Sequence, residues 1–283
     1  MKKQKEEEAV SKFKLSVAIA ILIGALGSSA EATSVVQMDD IGTVVFSGEI
    51  QSGDAERIAA ALIAIKPAFK DVYVLPHSLE INSKGGDVKE ALKVAALVKA
   101  TFLHVNVISR GRGVCASSCF FVFLAGQKRV ASGIDTIAQE GAARTLGPLG
   151  IHRPYYRAPE GGPASAKKQE DTMREVATYL QSERVAQYLI DEMMAHASNN
   201  IYWLTSRDLK SLGSYQAGVE EEIISKCGYD SQREAQMSRT EWIKDNSAGG
   251  VGDCVTAYLV NTYGPLRQAA VARLRQGWRP WKN

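Results

Sequence analysis

A large excess of charge of either sign is missing from this chain. Its 283 residues carry 34 Lys and Arg against 31 Asp and Glu, which gives a formal net charge of +3. Nucleic acids and anionic membrane surfaces attract proteins with a strong basic excess, so we expect no nucleic-acid partner. The sequence also lacks internal repeats and low-complexity tracts, and its hydrophobic fraction of 45% is that of an ordinary globular protein.

Long hydrophobic runs are also missing, apart from a short, mostly apolar stretch at residues 15–26. This stretch is too short for a helix that spans a bilayer, which needs about 20 residues. It follows a Lys-containing start and precedes small residues at 27–32. The pattern predicts a signal peptide over residues 1–32 and a periplasmic or secreted protein. The alternative is an uncleaved anchor, and only in that case do we expect the protein to stay at a membrane.

Cysteine is scarce, with four residues in the whole chain. In an exported protein, cysteines are first considered as disulfide partners. Three pairings are possible, and the simplest joins Cys115 to Cys119 and Cys227 to Cys254. Zinc is the competing interpretation, but no His lies at a finger-like spacing from either pair. We therefore favour disulfides and expect neither a metal nor a cofactor.

Apolar strands and amphipathic helices alternate through the first half of the chain. Strands are predicted near residues 42–50, 79–81 and 105–108, and helices over 52–65, 87–100 and 117–125. Such alternation with short turns predicts an α/β fold with a mainly parallel sheet. Functional sites of such sheets lie beyond the carboxyl ends of the strands.

Three short motifs carry the chemistry. The first is a Gly-Gly turn at 81–86, the second is a Ser between small residues at 113–119, and the third is a His at 151–154. Acyl transfer needs backbone N–H donors for an oxyanion, a nucleophilic hydroxyl and a base for its proton. The order of these motifs on an α/β pattern indicates a hydrolase.

Residues 41–218 resemble a Clp-type serine peptidase, and most of all the exported members of the Clp/crotonase superfamily. Residues 81–86 match the family's Asn-Ser-Pro-Gly-Gly turn, with Lys84 in place of Pro, and 113–126 align with its nucleophile helix. The resemblance implies a spiral of repeated β-β-α units with a long handle helix, here predicted within 166–197. It also implies a ring-like or other homo-oligomer.

The same resemblance implies the roles of individual residues. Ser117 corresponds to the nucleophile and His152 to the general base. The implied oxyanion donors are Gly85, Gly86 and Ser118.

The third member of the triad is where the sequence departs from the family. The family's Asp precedes an aromatic-Leu-Ser/Thr segment, which here is 202–205, and only Asn199 and Asn200 stand just upstream. Asn can orient a His by accepting its N–H, so Asn200 is the candidate, with Asn199 close behind. Asp191 and Asp208 are substitutes that do not match the family position.

These observations predict an exported serine hydrolase, a peptidase that cuts short or unfolded peptides. No phosphate-binding Gly-Lys-Ser/Thr loop is present in the sequence. Because the compartment of an exported protein also offers no ATP, we expect no ATPase partner. The main alternative is a catalytically silent scaffold that binds peptides. A Ser-Lys dyad with Lys167 or Lys168 and a crotonase-like acyl-CoA enzyme are further alternatives.

The predicted domain organisation has three parts. A signal peptide over 1–32 precedes a Clp-like α/β domain over 33–218 and a C-terminal extension over 219–283, stapled by Cys227 and Cys254. The extension contains a predicted basic amphipathic helix over 265–276 and a Trp-rich end. We expect that end to be either a docking tail or a capping helix.

Overall fold

The computed structural model describes residues 34–38, 43–64, 78–107, 113–131, 148–155, 163–197, 199–234 and 237–282. The predicted signal peptide lies outside these residues. Within the described ranges, no helix combines the length and the apolar character that crossing a membrane requires.

In the described ranges, eight strands form two sheets. Their bounds are β1 Ser34–Met38, β2 Thr43–Ser47, β3 Ser78–Asn82, β4 His104–Val107, β5 Cys115–Ala116, β6 Arg129–Ala131, β7 Leu149–Ile151 and β8 Tyr202–Trp203. The larger sheet has the order β1-β2-β3-β4-β6, and the smaller one has the order β5-β7-β8. Only β1 in the larger sheet is antiparallel to its neighbour, which confirms the predicted α/β fold with a mainly parallel sheet.

The described ranges also contain ten α-helices. Their bounds are α1 Asp54–Ala64, α2 Val88–Ala100, α3 Cys119–Leu124, α4 Pro163–Ser182, α5 Gln187–Ala195, α6 Ser206–Leu212, α7 Ala217–Cys227, α8 Ser231–Glu234, α9 Arg239–Asp245 and α10 Val251–Arg275, followed by a 3₁₀ turn at Pro280–Lys282. Asp87 caps α2 by accepting a hydrogen bond from the Glu90 N–H at 2.8 Å.

The apolar centre of the fold consists of aliphatic side chains from the strands and of a short buried helix. The register places Val44 beside Leu79, and Leu79 beside Val105, and all three side chains are fully buried. Every residue of α3 is buried, as its uniformly apolar sequence predicts. The Tyr179 hydroxyl reaches into this centre and donates to the Phe121 carbonyl at 2.7 Å.

The predicted handle region is two helices instead of one. Helix α4 ends at Ser182 and α5 begins at Gln187. Between them Glu183 is buried and forms ion pairs with Lys99 and Arg129, and Arg184 adopts a left-handed conformation with φ 55°. A left-handed residue ends a helix, and the buried ion pairs fix where this one ends.

The C-terminal segment forms a second apolar cluster. Its buried members are Tyr215, Val219, Ile223, Tyr229, Val255, Leu259 and Tyr263. The predicted helix at 265–276 is the second half of the longer α10, which contains Pro265. Trp278 and Trp281 pack against the main core, and the Arg273 guanidinium lies 3.9 Å from the centre of the Trp278 ring. This packing favours the capping interpretation of the Trp-rich end, while the domain boundary at 218/219 stays a prediction.

Candidate functional site

Gly85 brings the turn after β3 into contact with Ser117. Its φ of 95° is one that side-chain-bearing residues rarely adopt. A Cβ atom at this position would lie 2.6 Å from the Ser117 Cβ and 3.0 Å from the Ser118 nitrogen. Only glycine therefore allows the turn to approach the two serines this closely.

Ser117 lies on a strained turn between β5 and α3. It has a φ of 57°, a left-handed conformation that is uncommon for a residue other than glycine. Its N–H donates to the Gly150 carbonyl at 2.9 Å, and its carbonyl accepts from the Phe120 N–H at 3.0 Å. Such strain persists only where the surroundings hold it, and it concentrates at functional sites.

Two backbone N–H groups beside Ser117 are open. The Ser118 hydroxyl donates to the Gly86 carbonyl at 3.1 Å, which holds the two segments together. Within the described ranges, neither the Gly86 N–H nor the Ser118 N–H has a hydrogen-bond partner. The Gly85 N–H differs, because it donates to the Ser83 hydroxyl at 3.1 Å. Gly86 and Ser118 are thus the N–H groups able to bind an oxyanion in this conformation.

His152 follows directly after β7, on the strand that pairs with the Ser117 segment. Strands β5 and β7 are parallel, with Ala116 beside Gly150, so Ser117 and His152 leave the smaller sheet at the same edge. His152 is 7% exposed. The described atoms include no hydrogen bond between the two side chains, and catalytic hydrogen bonds often form only when substrate is bound.

A backbone carbonyl orients the His152 ring. The Nδ1 atom lies 2.9 Å from the Arg153 carbonyl oxygen. Because a carbonyl oxygen only accepts, Nδ1 carries the proton in this hydrogen bond and the lone pair of the neutral ring resides on Nε2. This is the tautomer that a general base acting through Nε2 requires. This hydrogen bond could not be predicted from the sequence, because every residue has a carbonyl and no side-chain type distinguishes the one at Arg153.

Among the described residues, no hydrogen bond joins the Asn200 side chain to the His152 ring. Asn199 and Asn200 are both exposed, and the Asn200 N–H donates to the Ala197 carbonyl at 2.9 Å. The role of Asn200 therefore stays a prediction. Lys167 and Lys168 are exposed on α4.

The two alternative aspartates have other partners. The Asp208 carboxylate accepts hydrogen bonds from the Thr205 backbone and hydroxyl and from the hydroxyls of Tyr188 and Tyr202. Burial alone would raise the pKa of Asp208, but these hydrogen bonds outweigh burial and lower that pKa. Asp191 is exposed and accepts from Gln187 at 2.9 Å.

Both cysteine pairs are joined in the pairing that the sequence analysis favours. The Cα–Cα distance is 5.2 Å for Cys115 and Cys119 and 5.6 Å for Cys227 and Cys254. The first bridge spans Ser117 and connects β5 to α3. The second joins α7 to α10 in the C-terminal segment. No cluster of His, Cys, Asp and Glu among the described residues is arranged to hold a metal.

Residues 27–134 match the family model of the Clp protease. This part of the chain is similar to the Clp protease family. The matched range contains the Gly-Gly turn and Ser117 and ends before His152. It confirms the predicted resemblance and supports a peptidase-like role, and no curated protein matches the chain at a significant level.

Several solved structures are also similar to this chain. ClpP1 from Listeria monocytogenes is 20% identical with a TM-score of 0.42, over 62% of this chain and 89% of its own. A point mutant of the same protein is 18% identical with a TM-score of 0.41, over 62% and 90%. A mutant of the 1510-N membrane-bound stomatin-specific protease is 12% identical with a TM-score of 0.39, over 66% and 84%.

Proposed function

We propose that the chain is an exported serine hydrolase, a peptidase that acts on short or unfolded peptides without ATP. The observation that carries this proposal is the strained Ser117 turn, held against the Gly85 turn and flanked by two open N–H groups. A serine that served only for packing would not require a left-handed backbone beside two N–H groups without hydrogen-bond partners.

In the proposed mechanism, the Ser117 hydroxyl attacks the carbonyl carbon of the substrate. Nε2 of His152 accepts the hydroxyl proton and returns it to the leaving amine. The N–H groups of Gly86 and Ser118 donate to the oxyanion of the tetrahedral intermediate. Water then hydrolyses the acyl-enzyme by the same sequence of proton transfers.

The Arg153 carbonyl takes the place of the orienting carboxylate in this mechanism. It holds the His152 tautomer but carries no full negative charge to stabilise the imidazolium. In the well-studied serine protease triad, replacing the Asp by Asn lowers turnover by about 10⁴. We therefore expect a slow enzyme.

The proposal includes export and self-association. The disulfide around Ser117 suits the oxidising environment outside the cytoplasm. Peptides or unfolded proteins are the proposed substrates, and a homo-oligomer is the proposed assembly.

A second candidate function is a silent, peptide-binding scaffold. Among the described residues, no carboxylate is hydrogen-bonded to the His152 ring and no hydrogen bond joins Ser117 to His152, and both observations favour this function. Cleavage of a peptide library by the oxidised protein separates the two functions. The parent should cleave, and Ser117→Ala and His152→Ala should each abolish cleavage. If the unmodified protein never cleaves, or if the variants cleave as well as it does, the scaffold function is favoured instead.

A further inference from the structure

A cavity of about 370 Å³ lies between the larger sheet and the C-terminal helices. Lys128 and Tyr215 line one side, and Val255, Leu259 and Arg267 of α10 line another. Its lining includes neither Ser117 nor His152, so it is separate from the candidate active site. Its volume is within the range of small-molecule sites, which span about 300–1,000 Å³.

Arg267 is a buried cation that faces this cavity with only neutral partners. It is 9% exposed, and its Nε donates to the Thr101 carbonyl at 3.3 Å. Its Nη2 donates to the Phe102 carbonyl and to the Gln127 side-chain oxygen. In the part of the chain that the structure describes, no carboxylate forms an ion pair with it.

The unfavourable burial of the Arg267 charge points to an anionic ligand. Burial lowers the pKa of Arg267 to about 10, and no neighbouring negative charge opposes the shift. A buried charge without a counter-charge is unfavourable, and an Arg at a cavity wall regains stability when a carboxylate binds to it. Lys128 adds a second positive charge, 5.4 Å from the centre of the Tyr215 ring.

The remaining walls limit the ligand to a single negative charge and an apolar body. Asp230, Glu234 and Asp245 also line the cavity, and Arg233 beside them forms an ion pair with Asp245. Their carboxylates repel a doubly charged phosphate more strongly than they repel a monocarboxylate. The side chains of Val255, Leu259 and Tyr229 supply the apolar surface.

We propose that this cavity binds a small organic monocarboxylate, with its carboxylate on Arg267 and its apolar body against Leu259 and Tyr229. A free carboxylic acid and the C-terminal residue of a short peptide share this chemistry.

Isothermal titration calorimetry tests the proposal on the Ser117→Ala protein, which cannot consume a peptide. The probes are two acids, 4-phenylbutyrate and the dipeptide N-acetyl-Ala-Leu. Each is compared with its primary amide, in which an uncharged carboxamide replaces the carboxylate. At least one acid should bind, and its amide should bind about 10- to 100-fold more weakly, as for a lost charge-assisted hydrogen bond. Binding of phenylbutyrate alone identifies a free acid, and binding of the dipeptide alone identifies a peptide end.

Variants locate the site. Arg267→Met should weaken binding about 10- to 100-fold, whereas Arg275→Met, exposed on the same helix, should leave it unchanged. Thr256→Trp places a bulky side chain at an exposed part of the lining and should block binding even where Arg267→Met fails to fold. Equal affinity for acid and amide, no binding of either acid up to about 10 mM, or full binding by Thr256→Trp would overturn the proposal.

Discussion

At the scale of single residues, the candidate site requires a residue without a side chain, Gly85, next to its two serines. Gly85 has no Cβ, and this absence lets Ser117 and Ser118 lie against the turn. Ser117 in turn holds a backbone conformation that its own side chain disfavours. The positions of the hydroxyl and of the two open N–H groups are therefore set together.

Replacing Gly85 by Ala should displace Ser117. The new Cβ would lie 2.6 Å from the Ser117 Cβ, and the residue would also be forced to a φ of 95°. Gly53→Ala is the matched control, because Gly53 has a φ of 93° and no heavy atom within 4 Å of its added Cβ. Both variants should lose about 1–3 kcal/mol of stability to backbone strain. Only Gly85→Ala should lower the rate of Ser117 acylation by more than tenfold, and equal rates would contradict the steric account.

Replacing Asn200 by Ala should have little effect on activity. The Nδ1 of His152 is held by the Arg153 carbonyl, so the ring keeps its tautomer without the Asn200 amide. We expect the peptidase rate to change by less than about threefold, against the loss of about 10⁴ that follows removal of a true orienting group. A loss of that larger size would show that Asn200 is the third member of the triad after all.

At the scale of elements, the smaller sheet brings the site together. Strand β5 leads to Ser117, β7 leads to His152, and the Cys115–Cys119 bridge ties β5 to α3 around the nucleophile. The bridge closes only a short loop, so its main effect is on the shape of the turn. The Cys227–Cys254 bridge closes a longer loop away from the site.

The two disulfides should therefore have different effects when removed. Cys115→Ala/Cys119→Ala should lower Ser117 acylation while the protein stays folded. Cys227→Ala/Cys254→Ala should lower the free energy of unfolding by about 3–4 kcal/mol and leave acylation unchanged. Urea unfolding and acylation rates measure the two effects. Non-reducing peptide mapping that finds Cys115 and Cys119 as free thiols would contradict the first half of this prediction.

Asp208 should stabilise the start of α6 in a pH-dependent manner. Its pKa in the folded protein is lowered from the ordinary 3.8, so its stabilisation is present above that pH and is lost as pH falls through the folded value. Asp208→Asn should cost about 1–3 kcal/mol near neutral pH. The difference from wild type should shrink in acid, whereas the exposed Asp191→Asn should show little change at either pH. Urea unfolding that gives the same Asp208→Asn loss at about pH 7 and about pH 3 would contradict this.

At the scale of the whole molecule, the parts predicted best are those governed by local periodicity. The alternation of apolar residues predicts the ends of β2, α1, α2 and β4 to within three residues. The break between α4 and α5 is not visible in the sequence, because it depends on ion pairs that Glu183 makes with residues distant in the chain. The cavity around Arg267 escapes sequence analysis for the same reason, because Arg267 meets residues distant in the chain. The Arg153 carbonyl escapes it for another reason, since every residue has a carbonyl and no side chain marks this one.

The most direct test of the central claim is labelling of the oxidised protein with a fluorophosphonate, with the modified residue located by mass spectrometry. Fluorophosphonates react with serines activated by a base and an oxyanion site. We expect a single adduct on Ser117 that is lost in Ser117→Ala, strongly reduced in His152→Ala, and retained in Asn200→Ala. Folded, oxidised protein that gives no adduct, or an adduct on Ser118 in place of Ser117, would contradict it.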